Sequence, residues 1–220
     1  YFLSVNRNKK SIAVDLKTDV GRNVIRELAA RADVVLENFP PGKLDGLGLG
    51  FDVLRARNPK LVMTSVTAFG QKGPLSQEPG YDLVVQGYGG IMALTGPVEG
   101  PPYRVGVPIV DLTTGMNAAL GTLAALRAAE RDGLGQHVDI SLFDTHLSWL
   151  ANVAGNNLIS GEPSPRLGNA HPNVAPYEPF EAKDGYVLLA AGNDTQWRRM
   201  LELPEFSKLR DVERWSTNNG

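Results

Sequence analysis

The chain has 220 residues, 42% of them hydrophobic and 21% charged, which is ordinary for a soluble globular protein large enough to bury a core without staples. A formal net charge of -2 argues against a non-specific nucleic-acid binder, which would be basic. No apolar run reaches the ~18 residues of a membrane span, and the absence of cysteine excludes a disulfide framework, a thiol nucleophile and a thiolate metal site. The chain opens at Tyr1 and stops in the polar run from Trp215 to Gly220, so both ends read as cut from a longer protein.

Ser11-Ile12-Ala13-Val14-Asp15-Leu16 alternates apolar and polar residues and is predicted as a strand. Thr18 is a predicted N-cap, followed by Val20, Val24, Ile25 and Leu28 at helical spacing. Val34-Val35-Leu36 is a short apolar run of β-branched and aliphatic residues, so strand, helix and strand follow one another as in a parallel βαβ unit. Asn38-Phe39-Pro40-Pro41-Gly42 must be loop, because two prolines cannot continue a ladder or a helix interior. Residues 51–57 suit a short helix stopped at Asn58-Pro59, and residues 61–66 a buried strand.

Residues 81–94 carry a helical pattern weakened by Gly87, Gly89 and Gly90. A long helix is predicted from Asp111 to about Glu130, with Leu120, Leu123 and Leu126 near one stripe and many alanines suited to close packing. His137 to Ile140 reads as a strand and residues 143–158 as a helix. After Gly161 the texture becomes linker-like, then a turn at Lys183-Asp184-Gly185 leads into a strand over 186–190 and a helix over 195–203. The expected architecture is α/β: an open, mainly parallel Rossmann-like sheet with flanking helices over residues 1–160. Residues 161–220 are read as a linker and the start of a second, smaller domain.

No dinucleotide, P-loop, zincin or nucleophile-elbow motif occurs, and Gly46, Gly48 and Gly50 are spaced for a turn between helices rather than a phosphate cradle. His137, His146 and His171 suit no common metal site, so no metal is expected and each reads as structural. The cluster Arg7, Asn8, Lys9 and Lys10 reads first as a charged strand entrance and second as a docking patch for phosphates. Lys17 after the first predicted strand, and Asn38 with Phe39 after the second, lie where α/β sheets bind ligands; an amide and a ring there suit a nucleotide base. Asp111 has two readings that can hold together. It is an N-cap, or it is a carboxylate at a helix N-terminus, where the dipole favours ionisation and the group can act as a nucleophile.

With these residues laid out, the sequence resembles the family III (CaiB/BaiF-type) CoA-transferases along nearly its whole length. The carriers are YFLSVNRNKKSIAVDLK at 1–17, ENFPPGKLDGLGLGF at 37–51, SVTAFGQKGP at 65–74, PGYDLVVQGYGGIMALTG at 79–96, GVPIVDLTTGM at 106–116, GQHVDISLFDT at 135–145 and PYEPFEAKDGYVLLAAGNDTQW at 176–197. The opening segment is most similar to the succinate–hydroxymethylglutarate (glutarate) CoA-transferase branch. The resemblance implies a CoA-transferase of acyl-CoA metabolism, with Asp111 as nucleophile in the stretch Gly106 to Gly115. It passes through a mixed anhydride and an aspartyl-CoA thioester, and the backbone N–H groups after Asp111 are candidate partners for oxyanion charge.

The resemblance further implies that CoA contacts Val14, Asp15, Leu16 and Lys17, then Asn38, Phe39 and Pro40, then Glu78, Pro79, Gly80 and Tyr81. Where some members carry an arginine for the CoA phosphates, this chain has Gly46. Implied too are coenzyme A or acyl-CoA as substrate with no permanent cofactor, a small carboxylic acid as second substrate, and no nucleic-acid or membrane partner. Full-length members have an earlier βα unit and a long C-terminal region, and form interlocked homodimers. The expected location is cytoplasmic, or the mitochondrial matrix in a eukaryote. Two alternatives stand beside this: an α-methylacyl-CoA racemase, disfavoured because Tyr81 replaces the histidine of its G-H-D stretch, and a catalytically silent acyl-CoA-binding fragment.

Overall fold

The protein is described by a computed structural model covering residues 2–210 and 212. In chain order the elements are α1 (Phe2–Val5), α2 (Asp19–Ala29), β1 (Val34–Glu37), α3 (Lys43–Gly46), α4 (Phe51–Arg57), β2 (Val62–Thr67), α5 (Asp82–Tyr88), α6 (Ile91–Leu94), α7 (Ile109–Asp132), β3 (His137–Ser141), α8 (Leu142–Trp149), α9 (Ala151–Ser160), β4 (Tyr177–Ala182), β5 (Gly185–Ala190) and α10 (Asp194–Leu201), followed by a 3-10 helix at Pro204–Leu209. The chain packs as two compact units. One is built from the residues up to Gly89 with Gly106–Ala151, the other from Gly90–Val105 with the described residues from Asn152 onward.

The first unit holds a parallel sheet in the order β1-β2-β3. Val34 lies opposite Val62, and Met63 opposite His137. β2 is the central strand and is buried along nearly its whole length, its polar members Thr64, Ser65 and Thr67 being small hydroxyl residues that can be buried once hydrogen-bonded. Leu61 and Met63 pack with Ala29, Leu49 and Leu54, while Val62 packs with Ala125 and Ala129 of α7. α2 starts as its sequence predicts: the Thr18 hydroxyl accepts from the Gly21 N–H at 3.0 Å.

The predicted strand over 11–16 is absent. These residues pair with no strand, and Ile12 is 63% exposed, so the alternation has no buried face to serve. Alternation sets which way side chains point, but a strand also needs a partner backbone. Residues 15–18 form a tight turn instead, in which the Lys17 N–H donates to Asp15 Oδ1 at 2.9 Å and the Thr18 hydroxyl to the Asp15 carbonyl at 2.9 Å.

The stripe expected on α7 is also corrected. Leu120 and Leu123 are 65% and 63% exposed, while Ala118, Ala125 and Ala129 are buried. Small residues face the sheet because helix and strand approach closely there. Thr122 Oγ1 lies 2.6 Å from Thr64 Oγ1, and a Cβ on Gly121 would sit 3.1 Å from Val138. By length and composition α7 could cross a membrane, but its buried face against the sheet makes it a core helix here. The pattern over 81–94 divides into α5 and α6 at Gly90 (φ +97°), and that over 143–158 divides into α8 and α9 at Ala151 (φ +40°).

In the second unit β4 and β5 form an antiparallel hairpin with Ala182 opposite Gly185; the turn and β5 match the sequence reading, and β4 adds a strand beyond it. Asn193 caps α10 by accepting from the Gln196 N–H at 3.0 Å, and Trp197 and Leu201 bury against Ala191.

Candidate active site

Three parallel strands end side by side, at Glu37, Thr67 and Ser141. Ligands in open α/β sheets sit beyond such carboxyl ends. Here the residues just past those ends, Asn38, Ala68 and Leu142, line a cavity of about 460 Å³ together with Gly80, Tyr81, Asp111 and Thr114. The site is therefore assembled from the edge of the sheet and the opening turns of α5 and α7.

Asp111 is not the N-cap of α7. That position is Pro108, and Asp111 is the third residue of the helix, solvent-accessible at the cavity. The cap comes from another helix: Asp82 Oδ1 accepts from the Val110 N–H at 2.8 Å and the Asp111 N–H at 3.2 Å. Its other oxygen accepts from the buried Gln86 amide, which fixes the carboxylate. Among the free N–H groups at a helix start, two are thus consumed by Asp82.

The electrostatics follow. Burial, and then the like charge of Asp82, push the Asp111 carboxyl above the ordinary carboxylate range. Burial, together with the Asp82 carboxylate seated on the first N–H groups, outweighs the helix dipole that would favour ionisation. Asp82→Asn keeps an oxygen for both N–H groups and removes the charge. In the full-length protein it is expected to lower the Asp111 pKa, so the acid limb of the pH profile of kcat/KM moves to lower pH. An unmoved limb, or one moved upward, contradicts this. Asp82→Ala, which removes the acceptor as well, is expected to cost about 1–2 kcal/mol of stability in thermal unfolding.

The backbone N–H groups after Asp111 do not point at the cavity as expected. The Leu112 N–H donates to the Pro108 carbonyl at 3.0 Å, and those that follow are inside the helix ladder.

Of the other residues singled out from sequence, Asn38, Gly80 and Tyr81 share the cavity with Asp111. The Asn38 amide donates to the Val66 carbonyl and ties the ends of β1 and β2 together. Val14, Asp15, Leu16, Lys17, Phe39, Glu78 and Pro79 do not line this cavity. Pro40 lines a second one, of about 380 Å³, with Met63, Ser65, Lys72 and His137. Met63 and Ser65 project to the face of β2 opposite Thr64 and Val66, so the two cavities lie on opposite sides of the sheet. There the His137 Nε2 lies 2.8 Å from the Ser65 hydroxyl, and the ring stacks on Phe51 at 5.4 Å.

His171 accepts from the Asn173 N–H at 3.1 Å and stays within the second unit. His146 is 1% exposed, and its Nε2 has no hydrogen-bond partner, so the expectation of a satisfied histidine fails there. Among the described residues no cluster of His, Asp or Glu is arranged to hold a metal ion.

Sequence reasoning missed Asp82, Thr114 and Arg22. Arg22 Nη1 donates to the Leu16 and Lys17 carbonyls at 3.1 and 2.9 Å and clamps the 15–18 turn. Asp82 carried a signal, an acid opening a helix directly after Gly80-Tyr81, but its partner lies 28 residues away and no local pattern reveals it.

A carboxylate at a helix start beyond the ends of a parallel sheet stands where open α/β folds place their ligands. The chain belongs to CoA-transferase family III, whose family model matches residues 1–220. It is 46% identical over 218 residues to the succinate–glutarate CoA-transferase of Agrobacterium fabrum, a match covering 99% of the chain and 54% of that protein. It is 41% identical over 219 residues to the succinyl-CoA:glutarate CoA-transferase of Homo sapiens, covering 100% of the chain and 50% of that protein. The crystal structure of a CAIB/BAIF family protein from Brucella suis superposes with a TM-score of 0.81 at 44% identity, over 96% of the chain and 56% of the solved one. The chain spans about half the length of the curated relatives it matches.

Proposed function

We propose that the full-length protein is a CoA-transferase. It moves CoA from an acyl-CoA, succinyl-CoA foremost, to a small carboxylate or dicarboxylate through an aspartyl-CoA thioester on Asp111. The observation that carries the reading is the placement of Asp111 at a cavity beyond the strand ends, with its basicity raised by burial and by Asp82. A more basic carboxylate is a better nucleophile and lies nearer in basicity to the acids it exchanges with, so each anhydride step runs readily in both directions.

The chemistry then proceeds in four displacements. A carboxylate oxygen of Asp111 attacks the donor thioester carbonyl and expels CoA thiolate, leaving a mixed anhydride. The thiolate attacks the Asp111 carbonyl of that anhydride and releases the donor acid as a carboxylate. The acceptor carboxylate attacks the aspartyl-CoA thioester and again expels thiolate. The thiolate finally attacks the acceptor's carbonyl, giving the new acyl-CoA and free Asp111. Water must be excluded throughout, since either intermediate hydrolyses.

CoA is assigned to the residues after the strand ends. Asn38, Gly80 and Tyr81 would hold the thioester end beside Asp111, with Phe39, Glu78 and Pro79 adjoining them in sequence, and Pro40, which lines the second cavity, would meet a more distant part of CoA. The clamped turn over Val14, Asp15, Leu16 and Lys17 would serve the nucleotide end, and its support is the rigidity that Arg22 and Thr18 give it. The same reading makes the whole protein an interlocked homodimer, and the exposed apolar stripe of Leu112, Met116, Leu120 and Leu123 on α7 is surface such an assembly would cover.

Purified full-length protein assayed with a panel of acyl-CoA donors and glutarate as acceptor is expected to favour succinyl-CoA over long-chain or branched monocarboxylyl donors by about tenfold or more in kcat/KM. Faster turnover of a long-chain or branched donor contradicts the assignment of the donor class.

A further inference from the structure

Thr113 and Thr114 are neighbours on α7 with opposite hydrogen bonding. Thr113 Oγ1 donates back to the Ile109 carbonyl at 2.8 Å, the usual way a helical threonine satisfies its hydroxyl. Thr114 is buried as deeply, at 1% exposure, yet its Oγ1 has no hydrogen-bond partner. Its side chain lines the cavity that Asp111 opens on. Residues three apart share one face of a helix, so the hydroxyl lies one turn from the carboxylate. A buried hydroxyl left without a partner is costly and calls for an explanation.

The surroundings narrow what that explanation is. The Leu112 N–H is taken by the Pro108 carbonyl, the Val110 and Asp111 N–H groups by Asp82, and the Asn38 amide by the Val66 carbonyl. Of the polar groups around the carboxylate, the Thr114 hydroxyl is the buried donor left uncommitted.

We infer that Thr114 is a catalytic hydrogen-bond donor. Its hydroxyl, resting on the assignment of Asp111 as nucleophile, donates to the acyl oxygen of the Asp111 adduct. That oxygen gains negative charge each time thiolate or carboxylate adds to the Asp111 carbonyl, and loses it when the leaving group departs. The proton stays on Oγ1, and no covalent bond to Thr114 forms or breaks. A donor aimed at charge that develops only in the transition state acts on turnover more than on binding.

The test uses full-length protein with Thr114→Val, which keeps the shape and removes the hydroxyl, and Thr114→Ser, which keeps the hydroxyl. The valine variant is expected to lose about tenfold or more in kcat, with KM for the CoA thioester within about twofold. Its Tm is expected to be no lower than that of the parent, because no protein hydrogen bond is lost. The serine variant is expected to recover most of kcat. Hydroxylamine trapping of the Asp111 adduct runs alongside. An adduct in the parent together with full kcat in the valine variant overturns this inference alone, as does a serine variant as slow as valine with both Tm values lowered. No adduct in the parent overturns the nucleophile assignment and this inference with it.

Discussion

Asp111→Asn in the full-length protein is expected to lower CoA transfer by at least about a thousandfold while leaving the fold intact, read as kcat/KM beside the thermal unfolding curve. The amide keeps the size and one oxygen of the carboxylate but cannot form the anhydride. Stability should hold or rise slightly, and the sign can be worked out. A carboxyl whose folded pKa lies above its unfolded value binds more protons when folded, so its contribution to stability is greatest below the ordinary carboxylate range and falls as pH rises through the raised value. Wherever the native side chain is ionised it is in its disfavoured form, and a neutral amide removes that disadvantage. Asp111→Glu should fail as well, because one more methylene displaces the attacking oxygen beyond a productive geometry. A folded Asn variant that retains most of its activity contradicts the assignment.

Gly21→Ala is expected to be strongly disruptive to the start of α2 in the first unit. A Cβ there would sit 2.0 Å from the Asp15 carbonyl oxygen and 2.7 Å from its carbon. These are backbone atoms, so no side-chain rotation relieves the clash. Alanine ordinarily gains up to about 1 kcal/mol over glycine inside a helix. Here the sign reverses, and a net loss of about 1–3 kcal/mol is expected in thermal or denaturant unfolding. The turn over 15–18 must shift, which breaks the Thr18 and Lys17 bonds to Asp15. If that turn serves CoA, KM for acyl-CoA should rise several-fold with kcat much less affected. An alanine variant as stable as the parent would show that the helix start is more yielding than its packing implies.

Much of the fold was legible from the sequence. The strands β1, β2 and β3 fall where β-branched residues cluster between helices, and β5 follows the turn at Lys183-Asp184-Gly185. What escaped depends on contacts distant in sequence. The alternation over 11–16 cannot show that no partner strand is there to receive it. Leu120 and Leu123 on α7 outweigh its alanines on any hydrophobicity scale, yet close approach to the sheet selects the small residues, with Leu126, for the buried face. Asp111 has the composition of a cap, but the cap is Asp82 on another helix.

The candidate site divides the same way. Asn38, Gly80, Tyr81 and Asp111 converge on one cavity because each sits at a strand end or helix start, positions that topology reveals. Thr114 could have been found by asking which residues share a helical face with Asp111. Its unsatisfied hydroxyl, which distinguishes it from Thr113, is visible only in three dimensions.

The most direct measurement is mass spectrometry of the full-length protein after exposure to succinyl-CoA, with hydroxylamine added to trap the activated carboxylate and peptide mapping to locate it. A CoA adduct is expected on the peptide containing Asp111. That peptide should convert to the hydroxamate, and the signal should be absent from the Asp111→Asn variant. An active protein with no adduct, or with the adduct on another carboxylate, would contradict it.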